Sequence, residues 1–200
     1  LIDVTVKDCI SKAPGGGIRC DYDSTGGGSL TMIHCTIKDN TVKDDSAISD
    51  TSGGGISLPN CPFTAVIDGC TITGNKIDMS VKTGAALSLE AEGCGLACSA
   101  TSSSITIIKG HTVIEDNQCV PHPAKTCNCQ GMGIFCGGGP LTIGETGKSD
   151  ADSPEIRQHW SLPVAGAIPK GTALYLEGSA AVDWLSGKIY SNGSLPANSV

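Results

Sequence analysis

The sequence predicts an all-β fold, a right-handed parallel β-helix of about six coils with three strands per coil, and three repeating signals carry that prediction. The first is a closing pattern of a branched aliphatic, two residues and a small polar residue. Its copies begin at Val6, Ile37, Ile72, Ile114, Ile156 and Ile189 and end at Cys9, Asn40, Asn75, Asn117, His159 and Asn192. The second is a Gly-rich step into a short apolar strand: Gly15 to Ile18, Gly53 to Ile56, Gly84 to Leu87, Gly131 to Ile134 and Gly171 to Leu174. The third is an aliphatic and Thr run between them, starting at Leu30, Phe63, Ile105, Leu141 and Ala181. Self-similarity at intervals of a few tens of residues marks a stacked solenoid.

Each signal is a strand signal. Apolar side chains return two residues after the Gly step, at Cys20, Leu58, Leu89, Cys136 and Leu176, so one face is buried. Thr and Ile dominate the runs, and helical spacing is absent. The closing positions 9, 40, 75, 117, 159 and 192 are unequally spaced while the strands keep their form, which assigns the extra residues to loops. In a parallel β-helix each strand pairs with its counterpart one coil away, at about 4.8 Å, so equivalent side chains form columns. Ile37, Ile72, Ile114, Ile156 and Ile189 then stack below Val6. Asn40, Asn75, Asn117 and Asn192 form a ladder beside them, because Asn tolerates tight turns and its amide bonds to coils on either side. Glycine supplies positive φ at the opposite corner. Long irregular loops and the handedness of parallel crossovers favour the right-handed form.

Composition agrees. Only 16% of the 200 residues are charged and 4% aromatic, which suits a narrow column of stacked aliphatics. The net charge of −7 argues against nucleic acid and anionic membrane surfaces as partners. No stretch of about 18 apolar residues is present, so no membrane span is expected in this segment. Eleven Cys point to an oxidising compartment. The chain opens on a strand that already reads as the end of a repeat, so residues 1–200 are expected to be one β-helix segment of a longer solenoid.

The paired signals resemble the polymorphic outer-membrane protein repeats, with their Gly-Gly-Ala-[Ile/Leu/Val] and Phe-x-x-Asn signatures. The first is matched by the stretches ending at Ile18, Ile56 and Leu87, the second by those ending at Asn40, Asn75, Asn117 and Asn192, with Ile in place of Phe. The resemblance implies a right-handed β-helix at a cell surface with adhesive or structural work.

Candidate chemistry is sparse. Cys35 and Cys70 hold equivalent places in adjacent coils, within disulfide reach, but two buried thiols packing as small hydrophobes are the preferred reading. Cys94 and Cys98 bracket a loop of small residues and are read as a local disulfide. Cys119, Cys127 and Cys129 share an insertion with His122 and suit a disulfide-tied loop better than a zinc site. Asn192 opens the one glycosylation sequon. Asp44 with Asp45, and Asp150 with Asp152, read as solvated turns rather than a calcium loop. No catalytic, cofactor-binding or metal-binding residue is assigned, and no cofactor is expected. No pair of carboxylates is expected to face outward on successive coils of one sheet, which argues against catalysis. The expected role is therefore a non-catalytic extracellular or cell-surface structural or adhesive protein, with a filament subunit as a special case. Its partners would be copies of itself or neighbouring solenoid segments, and surface glycans or host-cell proteins bound through the insertions. A polysaccharide lyase or glycoside hydrolase of the same fold is the competing class.

Overall fold

A computed structural model describes residues 1–20, 28–43, 45, 50–59, 63–83, 88–99, 105–161 and 167–190. It is a parallel β-solenoid. Every strand pairing is parallel, and the one helical turn among the described residues is a 3₁₀ segment, Asp150–Asp152. Five sheets run along it. Sheet I stacks Thr5–Lys7, Thr36–Lys38, Thr71–Thr73, Val113–Glu115, Glu155–Arg157 and Lys188–Tyr190. Sheet II stacks Ile10–Ser11, Thr41–Val42, Lys76–Asp78, Gln118–Val120 and Trp160–Ser161. Sheet III stacks Asp50–Ser52, Ser88–Glu92, Thr126–Gln130 and Ala167–Lys170. Sheet IV stacks Ile18–Arg19, Ile56–Pro59, Leu96–Ser99, Ile134–Gly138 and Leu174–Leu176. Sheet V stacks Gly28–Ile33, Phe63–Asp68, Ile105–Lys109, Pro140–Ile143 and Ala181–Trp184.

The aliphatic column exists in the expected register: Val6, Ile37, Ile72, Ile114, Ile156 and Ile189 are successive Cα partners. Two expectations need correction. The coil carries five strands, not three, because sheets II and III lie within what reads as insertion. The complete coils are also fewer than six. Among the described residues only the coils opening at Thr36, Thr71, Val113 and Glu155 hold all five strands. The sealed core spans about three turns, with fully buried apolar side chains running from Met32 to Ile156. At either end the columns open to solvent, as at Ile10 and Ile189.

The cross-section has two lobes. Sheets I, IV and V enclose the larger, filled by Ile37, Ile72, Ile114, Ile56, Leu96, Ile134, Ile67, Ile108 and Ile143 with their neighbours. Sheets II and III enclose the smaller, filled by Ile77, Met79, Leu89, Ala91 and Met132 with Cys94, Cys119, Cys127 and Cys129. Between them is a waist where the two sequence signatures meet. A Cβ placed on Gly17, Gly55 or Gly95 would lie 2.8–2.9 Å from the Nδ2 of Asn40, Asn75 or Asn117 respectively. Real Cβ atoms do not approach that closely, so the glycines are required for the wall to close against the ladder.

The ladder itself runs as a relay. The Asn40 backbone N–H and its Nδ2 both donate to Asn75 Oδ1 (3.1 and 3.0 Å), while Nδ2 also donates to the Val6 carbonyl (3.1 Å). Asn75 repeats the pattern on Asn117 Oδ1 (3.0 and 3.0 Å) and the Ile37 carbonyl (2.9 Å). The residue before each rung, Asp8, Asp39, Gly74, Asp116 or Gln158, has positive φ, which turns the chain from sheet I into sheet II. His159 takes the rung after Asn117 and is 1% exposed. Burial lowers its pKa to about 4, so it stands in the ladder as neutral imidazole. Asn192 lies outside the described residues.

Candidate functional site

Functional potential concentrates on the outer face of sheet III. Its strands alternate cleanly. Thr51, Leu89, Ala91, Cys127 and Cys129 point into the small lobe and are buried. The opposite face carries Asp50, Glu90 and Asn128 in one register row, and Ser52, Glu92, Gln130 and Lys170 in the next. Parallel in-register stacking brings the acids of the first two strands, Asp50, Glu90 and Glu92, into one patch, continued by the amides Asn128 and Gln130 on the third. Asp50 and Glu90 are direct partners on successive coils. This corrects the expectation that no such pair exists. The third copy of the Gly step, expected at Gly84 to Leu87 with Leu89 as its apolar return, is also corrected: Leu89 lies on sheet III opposite Cys127, and the counterpart of Gly53 to Ile56 is Gly93 to Leu96.

The patch borders a concave corner. Gly53, Gly93, Gly131 and Gly171 all have positive φ and turn the chain sharply from sheet III into sheet IV. A Cβ on Gly53 would come within 2.6 Å of Ser57 Cβ, and one on Gly131 within 2.9 Å of Phe135 N. The outward residues of sheet IV are folded into this angle. Ser57, Ala97 and Phe135 face away from the large lobe, yet each is at most 2% exposed. Phe135 stacks on Tyr175 of the next coil, with ring centroids 6.0 Å apart.

Electrostatics set the protonation. Glu92 is pushed up to about 7, first by desolvation in the corner and then by the charges of Glu177, Asp50 and Glu90. Glu90 accepts a hydrogen bond from Asn128 Nδ2 (3.3 Å). Gln130 is buried, and its Oε1 has no hydrogen-bond partner among the described residues. One carboxyl with its pKa raised toward 7 among further carboxyl and amide oxygens is an arrangement that takes up donors.

The cysteines meet expectation at two places and depart from it at one: Cys35 and Cys70 are buried thiols, a disulfide ties the Cys119 to Cys129 segment, and Cys94 and Cys98 are not bridged. The disulfide is Cys119–Cys129, with Cα atoms 6.2 Å apart, and it ties sheet II to sheet III through the small lobe. Cys35, Cys70, Cys94, Cys98 and Cys127 are thiols. Cys35 and Cys70 form no bridge because they act as ladder rungs at the turn from sheet V to sheet I. The Cys35 N–H points to Cys70 Sγ (3.3 Å), and the Cys70 N–H donates to Thr112 Oγ1 (3.2 Å). Burial pushes Cys94 and Cys98 up to about 12, which leaves them unreactive and neutral. Cys127 Sγ accepts the His122 N–H (3.1 Å), and His122 Nδ1 accepts the Ala124 N–H (3.0 Å). No group of three metal-ligating side chains comes together among the described residues.

The acidic loops and the basic residues are placed elsewhere. Asp45 pairs with Lys12 (2.6 Å), and Asp44 lies outside the described residues. Asp152 accepts from Ser149 Oγ (2.7 Å). Arg157 on sheet I bridges Glu115 (2.8 Å) and Glu155 (2.9 Å), well away from sheet III. No family model, curated protein or solved structure matches the chain.

Proposed function

We propose that the chain is a structural and adhesive rod of an extracellular or cell-surface assembly, built from repeats of the polymorphic outer-membrane type and not catalytic. The observation that carries this reading is the waist. The Gly and Asn signatures of the resemblance are not two independent turns but one interlocked seam, repeated coil after coil, and such a seam resists bending. The Cys119–Cys129 bridge supports an oxidising compartment. Among the described residues the first and last rungs expose apolar side chains, Leu1, Ile2 and Ile10 on the first and Leu185 and Ile189 on the last. Neighbouring solenoid segments or copies of the chain would continue the columns. Sedimentation and electron microscopy of the purified protein test this. Rods whose length grows with concentration are expected. A single compact species across the whole concentration range would overturn end-to-end stacking.

Cleavage of a polysaccharide is the second reading, and the sheet III patch favours it. Glu92 has the raised pKa of a general acid, and the carboxylates of Glu90 and Asp50 share its face. Turnover on an acidic or neutral polysaccharide that vanishes in Glu92→Gln would establish an enzyme and displace the rod reading.

A further inference from the structure

We propose that the outer face of sheet III binds an extended basic peptide segment, with Lys or Arg at alternating positions laid along the strand Ser88–Glu92. This rests on the reading of the chain as an adhesive rod and names what one flank of it adheres to.

Three observations converge. The first is spacing. Glu90 and Glu92 are two residues apart on one strand face, a repeat of about 6.8 Å, and an extended peptide presents every second side chain at the same repeat. A Lys-x-Lys segment therefore sets one cation over each carboxylate, while Asp50, one rung away at about 4.8 Å, flanks the first. The second is the demand for donors. Gln130 is 3% exposed, is the register partner of Glu92, shares its face, and carries the unpartnered Oε1. An ammonium or guanidinium over Glu92 brings several N–H donors to that oxygen, and the adjoining carboxylates accept the rest. The third is charge. Asp50, Glu90, Glu92 and Glu177 outnumber the cations that face this corner, Lys170 at the end of the row and Arg19 from sheet IV. Among the described residues, Tyr175, register partner of Phe135, is the other titratable side chain that sheet IV turns outward, Cys98 and Cys136 facing the large lobe. A neutral saccharide would leave the carboxylates mutually repelling, whereas a cationic chain relieves them.

Binding is linked to a proton. A cation beside Glu92 favours its ionised form, so the peptide expels the proton that Glu92 holds near neutrality. The carboxyl loses H⁺ to buffer and no other bond changes. Affinity is accordingly expected to rise from pH 6 to pH 8.

The experiment is calorimetric titration of the whole chain with acetyl-Lys-Ala-Lys-Ala-Lys-amide at low salt, in two buffers of different ionisation enthalpy. Saturable binding with proton release at pH 7 is expected. Glu90→Gln and Glu92→Gln should each weaken it about fivefold, the worth of one partly desolvated ion pair, and Glu92→Gln should abolish the proton release. Asp50→Asn gives a second reading of the same patch if either Glu variant unfolds. Asp39→Asn, in the turn between sheets I and II, should change nothing. No saturable binding, or equal weakening by Asp39→Asn, would overturn the proposal, the latter by showing attraction to net charge alone. A neutral oligosaccharide that competes and shows the same dependence on Glu90 and Glu92 would overturn it in favour of a glycan. Rod formation is read by sedimentation without peptide, so failure here is separable from failure of the rod.

Discussion

The two lobes of the coil solve the same problem with different residues. The large lobe is a set of aliphatic columns in which one β-branched side chain sits on its like for coil after coil, as from Ile37 through Ile156. The small lobe mixes Ile, Leu, Met, Ala and four Cys, and one pair of those Cys is bonded. Stacked identical side chains keep van der Waals contact with no adaptation between rungs. A lobe of unlike side chains needs flexible fillers and a covalent tie to hold one arrangement. The large lobe therefore sets the register of the solenoid, and the small lobe follows it through the waist.

The most disruptive way to test that order is to break the waist. Replacing Asn75 by Ala removes both donors and the acceptor that its amide offers to coils on either side, and it strands buried groups at Asn40, Ile37 and Asn117. With each orphaned buried group costing about 1–3 kcal/mol, a loss of about 4 kcal/mol or more is expected in denaturant unfolding. A loss below about 1 kcal/mol would mean that the two lobes hold their register without the seam.

Next in size is the contrast between columns. Ile72→Ala opens a cavity in the centre of the large lobe and is expected to cost about 3–5 kcal/mol. Met79→Ala in the small lobe is expected to cost less, about 2–3 kcal/mol, because its neighbours have the freedom to refill the space. Equal costs would remove the distinction drawn here. Converting Cys119 and Cys129 together to Ser should cost about 2–3 kcal/mol, from the entropy of closing a 10-residue separation. Thermal unfolding with and without reductant checks the same tie in the unaltered chain.

The rung at His159 offers a pH-dependent version of the seam. Its pKa in the fold is about 4, below the ordinary 6.5, so the unfolded chain takes up the proton first as pH falls. Stability is full above about pH 6.5 and drains away toward pH 4. His159→Asn should remove this acid sensitivity, a gain of about 2 kcal/mol at pH 5 relative to the parent, measured against the difference at pH 7.5. A parallel loss at both pH values would show that the ring's shape, not its charge, is what the rung requires.

These differences explain what the sequence reveals and conceals. The columns of the large lobe are legible where each rung repeats the same residue class at the same place after the Gly step, as Ile56 and Ile134 do; the rung between them, Leu96, is missed because Gly84 to Leu87 imitates the step one strand early. The Asn ladder is legible for the same reason, and the glycines opposite it are their steric counterpart. Sheet II is hidden because its strands are two or three residues long and begin immediately after the rung, as Thr41–Val42 does after Asn40. Sheet III is hidden because its inward residues are Thr51, Ala91 and Cys129, which carry no shared hydrophobic class. The candidate site lies on that hidden sheet, so Asp50, Glu90 and Glu92 escape a search keyed to repeating aliphatics. Among the cysteines the Cys94–Cys98 reading misleads, because Cys94 packs into the small lobe and Cys98 into the large one. Cys35 and Cys70 stay thiols as expected, and the Cys70 thiol accepts the Cys35 N–H.

The smallest effect expected is at the surface, and its sign is opposite to that of His159. The Glu92 carboxyl is raised to about 7 from an ordinary 4.5, so the fold holds its proton more tightly than the unfolded chain does. Its contribution is most favourable below about pH 4.5 and is lost as pH climbs through 7. Glu92→Gln keeps the shape and removes the charge, and it should stabilise the protein at pH 8 while leaving pH 4.5 unchanged. The side chain is partly open to water, which screens the repulsion from Asp50, Glu90 and Glu177, so the expected gain is only about 1 kcal/mol. Denaturant unfolding at the two pH values reads it directly. A gain at pH 8 would mean that this flank carries a stability cost which an apolar or amide residue avoids, the mark of a surface kept for binding rather than for the fold. No gain would place the carboxylates among ordinary solvated side chains and remove the case for sheet III as a binding face.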